Sequence, residues 1–82
     1  MKLTDSQRLF IEVGRIEGDI KQILCKMGEL EVEGYDLEGS ELEAHYNEKI
    51  KELQKKRRYR LRKARTAYNK EIKHENTANK TT

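Results

Sequence analysis

Apolar residues recur along the first part of the chain with the spacing of an amphipathic helix. From Leu9 onward the steps alternate between four and three residues, which is the a/d pattern of a heptad repeat. The members of this row are Leu9, Val13, Ile16, Ile20, Ile23, Met27 and Leu30. Thr4 and Gln7 form a capping box just upstream, in which the hydroxyl accepts from the Gln7 amide. The pattern predicts a first helix over residues 5–30.

An acidic connection and a second helix follow in the sequence. Residues 31–39 contain two glycines among acidic side chains, which is typical of a loop. Ser40 and Glu43 form a second capping box, and we expect the second helix over residues 40–74. Its seam positions repeat every eleven residues, which favours a nearly straight helix. The three rows are Leu42, Leu53 and Ala64; Tyr46, Arg57 and Tyr68; and Ile50, Leu61 and Ile72.

Two helices joined by a short loop predict an all-α, coiled-coil-like antiparallel hairpin, forming a single domain over residues 1–75. Helices of ~39 Å and ~51 Å leave an overhang on the second one, with Leu9 opposite the low sixties. A chain of 82 residues that is 34% hydrophobic buries a small core. We therefore expect it to form a homodimer, as a four-helix bundle or an extended coiled coil. The polar end, residues 76–82, is expected to be disordered.

The oligomer or partner interface is predicted along the first helix and on the overhang. Its expected residues are Leu9, Val13, Ile16, Ile20, Ile23, Met27, Leu61, Tyr68 and Ile72. A stripe of Gly14, Gly18 and Gly28 on the first helix has two interpretations: close approach by another backbone or a ligand, or tolerated neutral positions. Arg57 also has two interpretations. Its aliphatic stem lies along the seam while the guanidinium reaches water, or it is a polar residue that fixes the register of an interface.

Charge is divided unevenly along the chain, although the net charge is only +3. Residues 1–48 carry 12 acids and 5 bases, whereas residues 49–82 carry 13 bases and 3 acids. The segment KKRRYRLRKAR, residues 55–65, has eight Lys or Arg among its eleven residues. The charges of the first helix nearly balance, so we expect it not to neutralise this segment. An external polyanion would neutralise its charge.

Nucleic-acid binding is the function that this segment favours. Arginine forks onto phosphates and stacks on bases, and interleaved tyrosine suits stacking on open strands. The segment resembles in composition the arginine-rich helices of some RNA-binding peptides, so RNA is slightly favoured over DNA. The residues expected to bind nucleic acid, mainly through the phosphate backbone with Tyr59 suited to base stacking, are Lys55, Lys56, Arg57, Arg58, Tyr59, Arg60, Arg62, Lys63 and Arg65.

A protein partner is the alternative. The basic helix would then dock on an acidic surface, either of another protein or of a second copy of this chain. The chain would act as a regulator, an inhibitor or a self-assembling structural protein. Small charge-polarised helical proteins of phages and mobile elements perform such tasks.

Catalysis and cofactor binding are not indicated by the sequence. Cys25, His45 and His74 are too widely spaced to suggest a catalytic group or a metal site, and no glycine-rich phosphate loop is present. We expect no enzyme activity, no cofactor, no metal and no small-molecule substrate. A single cysteine suits a reducing compartment, and no apolar stretch is long enough to cross a bilayer. We therefore expect a cytoplasmic protein that has no membrane partner.

Overall fold

Two antiparallel helices form the structure, which is a computed structural model describing the backbone of residues 2–80 and the side chains of residues 2–74. Helix α1 spans Asp5–Val32 and helix α2 spans Glu41–Lys80. The prediction of an all-helical hairpin is confirmed. Helix α2 runs past the expected end at residue 74, since no Gly or Pro interrupts it. The helix thus takes in residues 76–80 of the expected tail, and residues 81 and 82 lie outside the described residues.

Both ends of α1 are capped by the residues that the sequence places there. The Gln7 amide donates to Thr4 Oγ1 at 3.2 Å, and the Thr4 amide donates to Gln7 Oε1 at 2.9 Å. This reciprocal pair is the predicted capping box. At the other end Gly34 has a φ of +96°. The amides of Gly34 and Tyr35 donate to the carbonyls of Glu31 and Leu30, so the helix closes in a Schellman motif.

The loop is folded onto the start of α2. Ser40 Oγ accepts from the Glu43 amide at 3.0 Å and donates to the Leu37 carbonyl at 2.7 Å. The Glu43 carboxylate accepts from the amide of Gly39, one residue before the cap, at 3.3 Å. Leu37 is 3% exposed, so it ties the loop to the hairpin. The start of α2 therefore has the predicted cap by the Ser40 hydroxyl. The Glu43 carboxylate, however, accepts from the amide of Gly39 and not from that of the cap residue.

The register of the hairpin is fixed by polar contacts between the helices. Near the open end, Ser6 donates to Glu71 from both its hydroxyl, at 2.7 Å, and its amide, at 3.2 Å. Leu9 lies in the groove that α2 lines from Arg60 to Glu71, which includes the expected low sixties. The contact between Ser6 and Glu71 lies beyond that region. Consequently α1 covers α2 as far as Glu71, and the overhang is shorter than the sequence suggested.

The inward-facing positions of α2 form a heptad row, which contains five of the nine residues in the expected eleven-residue rows. Leu61 and Ile72 are half-buried beside this row, whose members are Glu43, Tyr46, Ile50, Leu53, Arg57, Arg60, Ala64, Ala67 and Glu71. Their steps alternate between four and three residues. Leu42 and Tyr68 of the expected rows are exposed instead. The reason is that α2 packs on a heptad row of α1, and two helices share a long seam only when both keep the same period.

The apolar core is thin. Among the described residues only Val13, Leu37 and Ala64 are buried apolar residues, and the other seam residues of α1 remain half-buried. Ala64 has no exposed surface, so its small side chain is fully covered within the hairpin. The molecule is a rod with extents of 66 × 22 × 14 Å. One side of each helix is covered, and the rest is surface.

Candidate nucleic-acid interface

The basic segment, residues 55–65, lies across the middle of α2. Residues 53–70 contain nine Lys or Arg and no Asp or Glu. As part of a continuous helix, each residue is turned by about 100° from the one before. The helix therefore distributes these charges around its axis, and α1 covers only one side of it. The positions consequently separate into an inward pair and an outward set.

Arg57 and Arg60 turn towards α1 and pair with its glutamates. Arg57 Nε donates to Glu17 Oε1 at 2.9 Å. Arg60 Nε lies 3.4 Å from Glu12 Oε2, an ion pair that has no hydrogen bond. The expectation that α1 would not neutralise the segment is therefore wrong for two of its eight charges. That expectation considered only the net charge of α1. Ion pairs between the helices depend on the charged side chains beside the seam, because only these can reach across it.

A sequence signal for these two pairs was available. Numbering the α1 row as a heptad puts Val13 at a, so that Glu12 is at g and Glu17 is at e. Side chains at e and g flank the seam and form the ion pairs between helices of a coiled coil. Arg57, for which two interpretations were open, lies in the seam with its guanidinium held by Glu17 and partly exposed. Within the hairpin it is a polar residue that joins the two helices.

Six basic side chains remain on the outer side of α2, and we call this set the basic face. They are Lys55, Lys56, Arg58, Arg62, Lys63 and Arg65. All six are exposed, and within residues 2–74 none of them has an ion pair. They form three rows of two residues spaced seven apart: Lys55 with Arg62, Arg58 with Arg65, and Lys56 with Lys63. Together the rows cover about half of the circumference of the helix.

Tyr59 lies between two of these rows and is exposed. The Lys63 ammonium lies 4.7 Å from the centre of its ring, which is a cation–π contact. Hydrogen bonding and positive charge from Lys63, with a further contribution from Arg60, lower the pKa of the Tyr59 hydroxyl below its ordinary value. Lys63 therefore occupies one face of the ring, while Tyr59 remains 55% exposed. An aromatic ring with cations beside it is the arrangement that stacks on a base next to a phosphate.

Two regions next to the basic face contain acidic side chains: the groove between the helices and the loop end of the hairpin. The groove between α1 and α2 beside Arg60 contains acids as well as bases, among them Asp5, Glu12 and Glu71. The loop end of the hairpin, residues 27–48, has eight acids and no Lys or Arg. A long polyanion would therefore be repelled at the loop end and attracted on the outer side of α2. This restricts the candidate site to the basic face.

Other chemistry finds little support in the described part of the chain. Within it no three His, Cys, Asp or Glu side chains come together as metal ligands. Cys25 is exposed, and His45 lies against the Tyr46 ring at 6.0 Å between centroids. No helix among the described residues is long and apolar enough to cross a membrane. A Cβ added at Gly14, Gly18 or Gly28 would meet nothing within 4 Å, so the hairpin itself requires none of these glycines for close approach.

Comparison of the chain with protein-family models, with curated proteins and with solved structures found no match.

Proposed function

We propose that the chain is a non-enzymatic nucleic-acid-binding protein whose basic face contacts the phosphate backbone. The observation that carries the proposal is a set of six exposed cations that have no acidic partner among the side chains of residues 2–74, on a helix segment free of acids. Like charges so close together oppose the helix that carries them. A polyanion removes that repulsion and releases its own counterions on binding.

The mode of contact follows from the three rows. Cations on both flanks of a helix, with two more on its crest, suit a helix lying in a groove between two phosphate backbones. Residues seven apart along α2 are separated by ~10.5 Å, so each row spans more than one phosphate. Contacts of this kind fix the position of the helix and carry little sequence information.

RNA is slightly favoured over DNA. Three of the six cations are arginines, which fork onto phosphate and stack on bases, and Tyr59 adds an exposed ring beside them. Unpaired bases in loops and bulges are accessible to such groups, and these are more frequent in RNA. Arg57 and Arg60, which we expected in the same interface, take part only if a phosphate displaces Glu17 or Glu12.

Fluorescence anisotropy tests the proposal directly. Purified protein is titrated into labelled single-stranded RNA, duplex RNA and duplex DNA at three salt concentrations. We expect submicromolar binding at low salt that weakens steeply as salt is added. Absence of binding to all three ligands at low salt would contradict the proposal, and a preference for duplex DNA would reverse the expected order.

A second candidate function is binding to an acidic protein surface, including that of another copy of this chain. The acidic loop end supplies such a surface within the sequence itself, since residues 27–48 carry eight acids.

We propose on the same grounds that the protein is a homo-oligomer, in which the hairpin dimerises into a four-helix bundle. The interface residues expected from the sequence belong to this proposal, although those of α1 already pack partly on α2. An exposed single cysteine supports a cytoplasmic location.

A further inference from the structure

The two flanks of the hairpin differ in character. One flank contains the Arg60–Glu12 pair, and the groove there is lined by further charged residues such as Arg8 and Lys70. The opposite flank contains the Arg57–Glu17 pair. In α1, Phe10 and Leu24 lie seven residues before and after Glu17, so they share its side of the helix.

Helix α2 continues this second flank with apolar residues. Leu61 and Tyr68 lie four and eleven residues after Arg57, and both spacings return to nearly the same side of a helix. Ile72 lies four residues beyond Tyr68. We call this set the apolar flank, formed by Phe10, Leu24, Leu61, Tyr68 and Ile72.

The apolar flank is largely uncovered. Phe10 is 42% exposed, Leu24 54% and Tyr68 51%, while Leu61 and Ile72 are half-buried. Gly14 and Gly28 lie near this side of α1, and nothing in the hairpin occupies the space beside them. A helix surface without side chains at these points allows another helix to approach closely.

The exposed area of the hairpin exceeds what a chain of this size leaves open when it folds alone. Its accessible surface is 7077 Å². A compact monomer of the same mass exposes about 5,100 Å². Its radius of gyration is 19.1 Å, against about 12 Å for a compact chain of this length. A stable protein interface covers roughly 800 Å² on each partner, so the excess area is more than enough for one.

We propose that the apolar flank is the interface of an antiparallel homodimer, in which a second copy of this chain covers it. The inference deepens the homo-oligomer proposed above, because it specifies the face and the orientation. Phe10 and Leu24 are equally distant in sequence from Glu17. A two-fold axis beside Glu17 therefore matches Phe10 of one protomer with Leu24 of the other, as a self-complementary interface requires.

Charge favours the antiparallel orientation over the parallel one. A parallel dimer would place two loop ends side by side, each with eight acids in residues 27–48. Turning one copy about the axis beside Glu17 places its loop end beside the open end of the other, where residues 65–80 carry four bases and two acids. Unlike charges then meet at both ends of the dimer. The crest of the basic face, with Lys55 and Arg62, stays open, so dimerisation and nucleic-acid binding are compatible.

Sedimentation tests the interface with matched variants. We expect the unchanged chain to sediment with twice its 9.7 kDa mass. Leu24→Glu puts a charge on the apolar flank and is expected to give a monomer that keeps its helical circular dichroism. The control is Ile11→Glu, because Ile11 is 45% exposed and lies on the side of α1 away from the seam. This variant is expected to remain a dimer. A monomeric unchanged chain, or a dimer that survives Leu24→Glu, would overturn the proposal.

Disulfide cross-linking tests the orientation. Protomers carrying Phe10→Cys are mixed with protomers carrying Leu24→Cys, each with Cys25→Ser. We expect cross-links between the two variants and none within either variant alone, since like positions are ~21 Å apart along the axis of an antiparallel dimer. Self-cross-linking of each variant would indicate a parallel dimer and overturn the inference. Anisotropy measurements on the same samples separate this result from nucleic-acid binding, which stands or falls independently.

Discussion

Replacing Lys55 and Arg62 with glutamine removes the two cations of the basic face that lie farthest from α1. Neither side chain has an ion pair among the described residues, so the change breaks no ion pair between the helices there. Glutamine is a good helix former, and the double variant also relieves repulsion between like charges. The fold should be retained, and any lost binding should come from lost charge.

The magnitude follows from counting the cations available to phosphates. With six contacts on duplex DNA, the slope of log K against log salt is about −5.4, and with four it is about −3.6. Between 50 mM and 200 mM salt the unchanged chain should lose about 1,800-fold in affinity and the variant about 150-fold. Single-stranded RNA gives smaller slopes, about −4.2 and −2.8, with the same ratio between them.

Anisotropy titrations at four or more salt concentrations measure both slopes. The matched control is Lys21→Gln with Lys26→Gln, which makes the same change in net charge on exposed positions of α1. We expect its slope to equal that of the unchanged chain. Equal loss of slope in both double variants would show that overall charge, and not the basic face, governs binding. An unchanged slope in the Lys55 and Arg62 variant would refute the assignment of these residues to the interface.

Three further predictions concern the hairpin itself. Gly18→Ala should raise the free energy of unfolding by about 1 kcal/mol, because an added Cβ there meets nothing within 4 Å. Gly34→Ala should lower the free energy of unfolding, because Gly34 has a φ of +96°. Thermal denaturation of both variants measures the two changes. Ala64→Leu should cost about 1–3 kcal/mol in urea denaturation, since Ala64 is fully buried between the helices, and a stability equal to that of the unchanged chain would contradict this packing. Lys63→Met should raise the pKa of Tyr59, because the hydrogen bond and charge that lower it are removed. An absorbance titration at alkaline pH, with that of Tyr59→Phe subtracted, isolates the titration of Tyr59. An unchanged titration midpoint would contradict the prediction.

The helices and their caps were readable from local sequence. The Thr4 capping box, the Ser40 cap and the glycines of the loop act over four or five residues, and the structure has each of them in place. The end of α2 was misplaced for the opposite reason. Polar composition alone does not end a helix, and no glycine or proline stops this one near residue 74.

The period of α2 and the division of the basic segment were decided by pairing. Taken alone, α2 has seam rows every eleven residues, and only contact with the heptad row of α1 selects Arg60, Ala67 and Glu71 as inward positions. The same contact withdraws two arginines from the outer surface and leaves six cations exposed.

The sequence by itself determined that two helices form, where each begins, and that positive charge concentrates on α2. These features depend on neighbours within a few turns of the same helix, and hydrophobic period, capping and charge count record them directly. Only the tertiary structure decided which flank of the hairpin is apolar and which cations are free. Both depend on the rotation and register of one helix against the other, and these are set by contacts such as Ser6 with Glu71, whose partners lie 65 residues apart in the chain.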